Sequence, residues 1–208
     1  MTRIKMCGVT TPEDGRDAAM LGADAIGLNF FEGSPRWVTP ERASRIIESL
    51  PPFVAAIGVF VNYADPQALE DFAVSIRLDA VQLHGDETPD YCSMINRVQV
   101  IKAIHMNETF QVNSLQNYPV SAFLLDAYSP TEFGGTGRVF NWSQAAGADA
   151  FGHIILAGGL NPDNVPAAIE ELHPFAVDVS SGIEAEPGKK DYASMRRFVE
   201  AVQRADAN

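Results

Sequence analysis

Short apolar runs alternate with amphipathic stretches along the whole chain. We predict β-strands where the apolar runs are bounded by turn residues, namely over 3–6, 25–28, 55–61, 80–83, 99–104, 122–125, 153–157 and 176–179. Helical periodicity or helix-start signals predict helices over 12–21, 40–50, 66–74, 89–95, 108–116, 142–148, 162–171 and 192–205. Thr39, Asp65 and Thr88 each precede a proline, which is typical of a helix N-cap.

The regular alternation of eight strands with eight helices favours one fold. It predicts a parallel sheet, and eight units is the number that closes a (β/α)₈ barrel. An open doubly wound sheet is the alternative, but it usually needs fewer strands and would carry a glycine-rich turn after the first strand. In this chain the glycine clusters follow the last strands. We therefore predict an α/β fold, a single (β/α)₈ TIM barrel domain over residues 1–208.

Composition narrows the class of protein. Hydrophobic residues make up 46% of the chain and charged residues 20%, as in an ordinary globular protein. No apolar run approaches the roughly 20 residues that span a bilayer, and no signal-peptide pattern is present, so we expect no membrane partner. Cys7 and Cys92 are too few for a disulfide scaffold and lack metal-ligand spacing, which predicts a reducing cytoplasmic location and no metal site.

The chain is strongly acidic, with a formal net charge of −12. This argues against nucleic acid as a partner, because such binding depends on Lys and Arg that neutralise phosphates. A small anionic ligand is still compatible with this charge. It would need a local site built from backbone N–H groups, helix N-termini or a few cations.

Cys7 ends the first predicted strand, where ligands of alternating βα chains gather. Strand alternation places Lys5 and Cys7 on the same face, opposite Ile4 and Met6. A cation next to the thiol would favour the thiolate, since an unperturbed thiol has a pKa of about 8.5. The alternative is a buried, inert thiol.

Three further strand ends carry candidate chemistry. Arg36 lies in the loop after the second strand and could bind a carboxylate through two hydrogen bonds, or could be a solvated surface residue. His84 ends the fourth strand on the same face as Gln82, as a functional or a structural histidine. Asp126 closes the sixth strand as a catalytic or a turn-forming residue, and the long glycine-rich loop over 128–137 predicts a lid.

Small residues follow the last two strands. They are Gly158 and Gly159 after the seventh strand, and Ser180, Ser181 and Gly182 after the eighth. In (β/α)₈ barrels the loops after these strands commonly bind phosphate, because small residues let backbone N–H groups approach its oxygens. We predict a phosphate site here.

Together, and in this order, the motifs resemble those of the phosphoribosylanthranilate isomerase family over essentially the whole chain. The motifs are KMCG at 5–8, SPRWV at 34–38, VQLHG at 81–85, LD at 125–126, GGTG at 134–137, AGGL at 157–160 and DVSSG at 178–182. The chain departs from the family pattern at Met6, Trp37 and Asn141, and none of these carries an assigned role.

The resemblance implies an Amadori rearrangement in tryptophan biosynthesis. It would convert N-(5-phosphoribosyl)anthranilate, a small-molecule phosphosugar, into 1-(2-carboxyphenylamino)-1-deoxyribulose 5-phosphate. Asp126 would be the general acid that opens the furanose ring, and Cys7 the general base that removes the C2 proton. Arg36 would hold the anthranilate carboxylate, and the two small-residue turns would hold the phosphate.

His84 and Asp178 would then line the substrate site as inward polar neighbours of Cys7. Proton abstraction beside an iminium carbon needs no metal and no organic cofactor, so we expect none. The enzyme would be a monomer or a homodimer.

Two other functions are alternatives to this isomerase activity. The histidine-pathway isomerase of the same chemistry resembles a two-fold repeated barrel with two phosphate turns, whereas this chain has a cysteine at strand one and no glycine-rich turn near His84. A non-catalytic phosphosugar-binding or redox-sensing protein is disfavoured by Asp126 and by the lack of a nearby resolving cysteine.

Overall fold

The computed structural model describes residues 1–107, 109–127 and 142–207. Within them, eight parallel strands pair in chain order and β8 returns to β1, which closes a barrel. The barrel strands are β1 (Arg3–Cys7), β2 (Ala25–Asn29), β3 (Ala55–Phe60), β4 (Ala80–Leu83), β5 (Gln99–Met106), β6 (Ala122–Ala127), β7 (His153–Leu156) and β8 (Ala176–Val179). The prediction of a (β/α)₈ barrel is confirmed, and the open sheet is excluded.

The helices surround the barrel. They are α1 (Pro12–Leu21), α2 (Pro40–Glu48), α3 (Pro66–Ser75), α4 (Pro89–Ser93), α5 (Val165–Leu172) and α6 (Tyr192–Asp206). The three predicted N-caps are confirmed, because the side chains of Thr39, Asp65 and Thr88 each accept a backbone N–H of the first turn. Each such cap stabilises a helix by about 1 kcal/mol.

The predicted α-helix over 108–116 is wrong. Residue 108 lies outside the described residues, and Val112–Asn117 forms a 3₁₀-helix. Asn107 Oδ1 accepts the N–H of Thr109 at 2.9 Å, so this side chain closes a local turn. No side chain caps the 3₁₀-helix, and a short polar segment without a cap is poorly suited to start an α-helix.

The predicted helices over 142–148 and 162–171 also differ from the structure. The first is replaced by two 3₁₀-helices, Trp142–Ala145 and Ala148–Phe151, and Gly147 between them has a left-handed φ of 80°. The second starts at Val165, because Asn161 Oδ1 accepts the N–H groups of Asp163 and Asn164 and holds this segment in a turn.

Inward and outward side chains divide the core into two layers. Outward residues such as Val81 and Leu83 pack with the helices in a large outer core. Inward residues such as Ile101 and Leu124 fill the barrel interior. Buried polar residues of the inward face, such as Gln82, Asp126 and Asp178, lie beyond these, towards the carboxyl ends of the strands. The barrel is therefore apolar at one end and polar at the end where parallel strands present ligands.

A hairpin follows β8 that the sequence did not predict. After a 3₁₀-helix at Ser181–Ile183, strands β9 (Glu184–Glu186) and β10 (Lys189–Lys190) pair antiparallel. The hairpin is joined to the first βα loop, since Thr10 Oγ1 donates to the Gly188 carbonyl at 2.6 Å. Among the described helices, none has the length and apolar character to cross a membrane.

Candidate active site

A cleft opens at the carboxyl ends of the barrel strands. Nine of the ten predicted site residues line it: Cys7, Arg36, His84, Asp126, Gly158, Gly159, Asp178, Ser180 and Ser181. The cleft is also lined by residues that were not predicted to bind substrate, among them Asn29, Ser34 and Gln82. The predicted lid over 128–137, including the GGTG motif, lies outside the described residues.

Cys7 is the last residue of β1 and is partly accessible. Its partner in the β1–β2 register is Gly27. A Cβ atom at Gly27 would lie 2.6 Å from Cys7 Sγ and 3.1 Å from Cys7 Cα, well inside van der Waals contact. The missing side chain of Gly27 therefore provides the space that the thiol occupies.

Lys5 and Asp178 form a buried ion pair next to the thiol. Lys5 Nζ donates to Asp178 Oδ1 at 2.8 Å, and their side chains are 3% and 8% exposed. Burial lowers the pKa of Lys5, but Asp178 and Cys7 outweigh it and the net pKa is raised. Lys5 is therefore an ammonium ion at neutral pH.

The net effect on Cys7 differs from the sequence-based expectation. Burial raises the pKa of Cys7, and this outweighs the opposite effects of Lys5 and Lys190, while Asp178 adds to the rise. Lys5 does favour the thiolate, as expected, but Asp178 neutralises much of its charge. The resting form of Cys7 is the thiol.

Asp126 contacts a buried histidine. His84 Nε2 lies 3.1 Å from Asp126 Oδ2, and His84 Nδ1 lies 2.6 Å from Gln82 Nε2. The three residues are 6%, 4% and 0% exposed in the order His84, Asp126, Gln82. Asp126 is therefore a cleft residue held by a hydrogen-bond chain from β4, which distinguishes it from a turn-forming aspartate.

A second buried ion pair fixes the turn after β4. Lys102 Nζ donates to the carbonyls of Leu83 and Gly85 at 3.1 and 2.7 Å and to Glu87 Oε2 at 2.9 Å. The side chains of Lys102 and Glu87 are 3% and 2% exposed. Because these contacts bracket residue 84 in the chain, they hold the backbone that carries His84.

Arg36 is part of a buried network with two residues of the hairpin. Its Nε and Nη2 donate to Glu184 Oε1 and Oε2 at 2.9 and 2.7 Å. Lys190 Nζ donates to Glu184 Oε1 at 2.9 Å and to the Ser180 carbonyl at 3.1 Å. The Arg36 side chain is only 11% exposed, so the guanidinium is fixed at the wall of the cleft and is not a solvated surface group.

The charges in this network favour a carboxylate at Glu184. Burial raises its pKa, but hydrogen bonds from Arg36 and Lys190 outweigh burial and the net pKa is lowered. Burial lowers the pKa of Lys190 despite its pairing with Glu184. Sequence reasoning missed both residues, because they belong to no motif and reach the cleft only through the unpredicted hairpin.

The two small-residue turns lie against each other. Gly158 and Gly159 have left-handed φ values of 83° and 64°, which side-chain-bearing residues rarely adopt. Gly182 does not line the cleft, and a Cβ there would overlap the Leu160 carbonyl oxygen. Its role in the fold is thus to let the turn after β8 pack on the turn after β7. Ser180 Oγ is buried and has no hydrogen-bond partner among the described residues.

His105 is another residue that the sequence did not single out. β5 extends to Met106 rather than ending at 104, which brings the His105 ring to 5.5 Å from the His84 ring. Burial lowers the pKa of His105, and the neighbouring His84 lowers it further. His105 is therefore neutral near pH 7.

The closed barrel and the polar cleft at the carboxyl ends of its strands define a (β/α)₈-barrel enzyme. Comparison with known proteins identifies the family. A family model described as N-(5'phosphoribosyl)anthranilate (PRA) isomerase matches residues 4–201. The chain belongs to this family, and its reaction is the phosphoribosylanthranilate isomerase reaction of tryptophan biosynthesis.

Individual relatives match over nearly their full length. An N-(5'-phosphoribosyl)anthranilate isomerase of Geobacter sulfurreducens is 52% identical over 199 residues, which cover 96% of this chain and 97% of the relative. A crystal structure of the Thermotoga maritima phosphoribosyl anthranilate isomerase has a TM-score of 0.89 and 44% identity, covering 98% and 99% of the two chains. A complex of such an enzyme with reduced 1-(o-carboxyphenylamino)-1-deoxyribulose 5-phosphate has a TM-score of 0.86 and 42% identity, with the same coverage.

Proposed function

We propose that Asp126 and Cys7 are the acid and the base with which this cleft isomerises N-(5'-phosphoribosyl)anthranilate to 1-(2-carboxyphenylamino)-1-deoxyribulose 5-phosphate. The observation that carries the proposal is the position of the two groups. A carboxyl group backed by His84 and a thiol next to Lys5 stand on β6 and β1, and both line the same cleft. An acid and a base on separate strands can serve the two ends of the rearrangement.

The acid step opens the sugar ring. Protonated Asp126 gives its proton to the furanose ring oxygen, and the bond between that oxygen and C1 breaks. The lone pair of the anilino nitrogen moves into the C1–N bond and forms an iminium ion. Asp126 is left as a carboxylate, which accepts a hydrogen bond from His84 Nε2.

The base step moves the second proton. The Cys7 thiolate removes the proton on C2, and the electron pair of that C–H bond becomes the C1–C2 double bond as the iminium is neutralised. The resulting enolamine tautomerises to the ketose. Because burial raises the pKa of Cys7, the thiolate is scarce at neutral pH but is a strong base once formed, and Lys5 and Lys190 favour its charge.

Two groups of contacts would hold the substrate. The turns after β7 and β8 would bind the phosphate through backbone N–H groups, supported by the left-handed φ values of Gly158 and Gly159 and by the buried Ser180 hydroxyl. Arg36 would bind the anthranilate carboxylate. Glu184 holds the guanidinium of Arg36 in place for this contact, and Lys190 in turn holds Glu184.

The experiment is a fluorescence assay for consumption of freshly generated phosphoribosylanthranilate. The wild-type chain is expected to consume it, and Asp126→Asn and Cys7→Ser are each expected to lower kcat by roughly 10²- to 10⁴-fold. Cys92→Ala is the matched control, because Cys92 is buried outside the cleft, and it should keep near wild-type kcat. Normal turnover by Cys7→Ser or Asp126→Asn would remove that residue from the mechanism.

The assembly and the location of the chain stay predictions. One matching structure is of monomers of the dimeric isomerase from Thermotoga maritima. We propose a monomer or a homodimer for this chain, which light scattering distinguishes. The cytoplasmic location expected from the two cysteines awaits fractionation.

A further inference from the structure

Lys190 is buried in the hairpin after β8 and is not among the residues that line the cleft. Its Nζ donates to the Ser180 carbonyl at 3.1 Å and to Glu184 Oε1 at 2.9 Å, and its side chain is 0% exposed. A buried amino group costs free energy unless hydrogen bonds satisfy it, and ordering a long side chain costs entropy as well. The two acceptors of this group belong to the two ends of the proposed substrate site.

The first acceptor orients the turn after β8. The Ser180–Ser181 peptide bond is trans and planar, so its carbonyl and the Ser181 N–H point in opposite directions. The contact from Lys190 is the shorter of the two that this carbonyl accepts, since the Ile183 nitrogen lies 3.4 Å away. By holding the carbonyl, Lys190 also fixes the direction of the Ser181 N–H. No described residue accepts this N–H, and Ser181 lines the cleft.

The second acceptor orients the guanidinium of Arg36. Glu184 Oε1 accepts from both Lys190 Nζ and Arg36 Nε at 2.9 Å, and Glu184 Oε2 accepts from Arg36 Nη2 at 2.7 Å. Two parallel hydrogen bonds of this kind fix the plane of a guanidinium relative to the carboxylate. Because Lys190 holds the same carboxylate through a third hydrogen bond, the guanidinium has a defined direction at the wall of the cleft.

The hairpin that carries Lys190 is itself fixed to the loops after β1 and β2. Thr10 Oγ1 donates to the Gly188 carbonyl at 2.6 Å. Gly188 has a left-handed φ of 82°, and a Cβ there would lie 2.9 Å from the carbonyl oxygen of Pro35, the residue before Arg36. Lys190 is therefore attached to a part of the fold that is held by contacts outside the cleft.

We propose that Lys190 is a positioning residue that fixes the separation between the phosphate-binding turn after β8 and the carboxylate-binding guanidinium of Arg36. The inference rests on the proposed function, which assigns these two ends. A ligand that carries a phosphate and a carboxylate at the matching distance meets both groups already in place, so neither has to be ordered on binding. Lys190 thereby favours substrates that carry both groups without touching either group.

Binding measurements test this role more cleanly than turnover. Lys190 also favours the Cys7 thiolate, so its loss would lower kcat for that reason as well. The probes are inorganic phosphate and the reduced product analogue, which carries both a phosphate and a carboxylate, and each is titrated by calorimetry.

The substitution Lys190→Met should weaken both ligands. Phosphate binding should fall roughly 2- to 10-fold, the range for one hydrogen bond, and analogue binding by a larger factor because both ends are affected. Lys189→Met is the matched control, since it removes the exposed neighbouring lysine of the same hairpin and should change neither affinity. Glu184 keeps both hydrogen bonds from Arg36 in Lys190→Met, so we expect the variant to fold, which circular dichroism checks. Lys190→Gln, which keeps an amide donor, is the second variant and should show the same pattern with smaller factors.

A double-mutant cycle with Arg36 separates positioning from a general effect. Lys190 acts on the carboxylate end only through Glu184 and Arg36. In the Arg36→Met background, Lys190→Met should therefore weaken the analogue only by the factor that it has on inorganic phosphate. A loosened fold or a lost long-range charge would instead weaken the analogue by the same factor in both backgrounds, and this result would overturn the proposal.

Failure of this inference and failure of the proposed function give different results. Unchanged phosphate affinity in folded Lys190→Met, while Gly159→Ala weakens phosphate binding and Arg36→Met does not, would reject the role of Lys190 alone. Loss of phosphate affinity in Arg36→Met, or no binding of the analogue by the wild-type chain, would reject the assigned ends of the site and the inference with them.

Discussion

Gly27 stands beside Cys7 in the β1–β2 register, where a single added carbon would lie 2.6 Å from the thiol sulfur. The position of the proposed base thus depends on an absent side chain on the neighbouring strand. Neither residue reveals this relationship in the sequence, because the register of β1 and β2 is set by the barrel.

Gly27→Ala should therefore move the thiol without removing it. Sγ is the mobile end of a side chain and must leave its present place, whereas Cys7 Cα, 3.1 Å from the added carbon, needs to shift by only a few tenths of an ångström, so the fold can accommodate the methyl group. A displacement of about 1 Å at a reacting atom can cost on the order of 100-fold in rate. Steady-state kinetics should show a fall in kcat while the circular dichroism spectrum stays unchanged. A wild-type kcat in Gly27→Ala would show that the reaction does not depend on the position of the Cys7 thiol.

The two cysteines should differ towards iodoacetamide. Burial raises the pKa of Cys92 to about 11, and Cys92 is fully buried, whereas Cys7 is partly accessible and has Lys5 and Lys190 nearby. Cys7 should be modified first, with a proportional loss of activity, and a bound product analogue should protect it. Mass spectrometry that finds Cys92 labelled before Cys7 would contradict this order.

The same reaction should be strongly pH-dependent. Because the pKa of Cys7 is raised, its thiolate fraction, and with it the alkylation rate, should keep rising above the pH of about 8.5 where an ordinary thiol is half ionised. Removing Lys5 by Lys5→Met should raise the midpoint further, since Lys5 favours the thiolate. A midpoint below that of free cysteine would contradict the dominance of burial. The control reagent is N-acetylcysteine under the same conditions.

The small-residue turns should determine phosphate affinity. Gly159 and Gly147 both have left-handed φ values, 64° and 80°, but only Gly159 lines the cleft, and a Cβ at Gly147 would meet nothing within 4 Å. Gly159→Ala should weaken inorganic phosphate binding in calorimetry and raise KM. Gly147→Ala is the control: it introduces a similar backbone strain and should leave phosphate affinity and KM unchanged. Equal phosphate affinity in the two folded variants would place the phosphate elsewhere.

Arg36 should act on the carboxylate end of the substrate. A charge-assisted pair contributes roughly 1.5 to 3 kcal/mol, so Arg36→Met should raise KM by about 10- to 150-fold and leave inorganic phosphate affinity unchanged. Glu184→Gln should also raise KM, by a smaller factor, because Glu184 holds the guanidinium. The exposed Lys189→Met in the same hairpin is the control. A parallel loss of phosphate affinity in Arg36→Met would move Arg36 to the phosphate end.

Local sequence signals predicted the barrel and the ends of its strands well. Apolar runs, turn residues and N-cap residues determine strands and helices through interactions between residues that are close in the sequence. The 80–83 and 176–179 strands have the predicted bounds. The hairpin of β9 and β10 could not be predicted in this way, since Glu184 and Lys190 are held by Arg36 and by the turn after β8.

The pKa of Cys7 could not be predicted from local sequence signals either. The sequence places Lys5 on the same face as the thiol and so gives the direction of its effect. It contains no information on burial, or on Asp178 pairing with Lys5 from the last strand, and these reverse the net shift of the Cys7 pKa.

The Lys102–Glu87 pair should contribute to both stability and catalysis. Removing one partner leaves the other charge buried, which typically costs about 3 to 5 kcal/mol, so Lys102→Met should markedly lower the free energy of unfolding in urea. The double variant Lys102→Met with Glu87→Gln should recover much of this loss. Its amide is uncharged and keeps one oxygen at the place of Oε1, which accepts the backbone N–H groups of both Asn62 and Gly85. Its kcat should stay below wild type, because the turn after His84 has lost the contacts of Lys102 to Leu83 and Gly85. Full kcat in the stable double variant would show that the pair supports the fold alone.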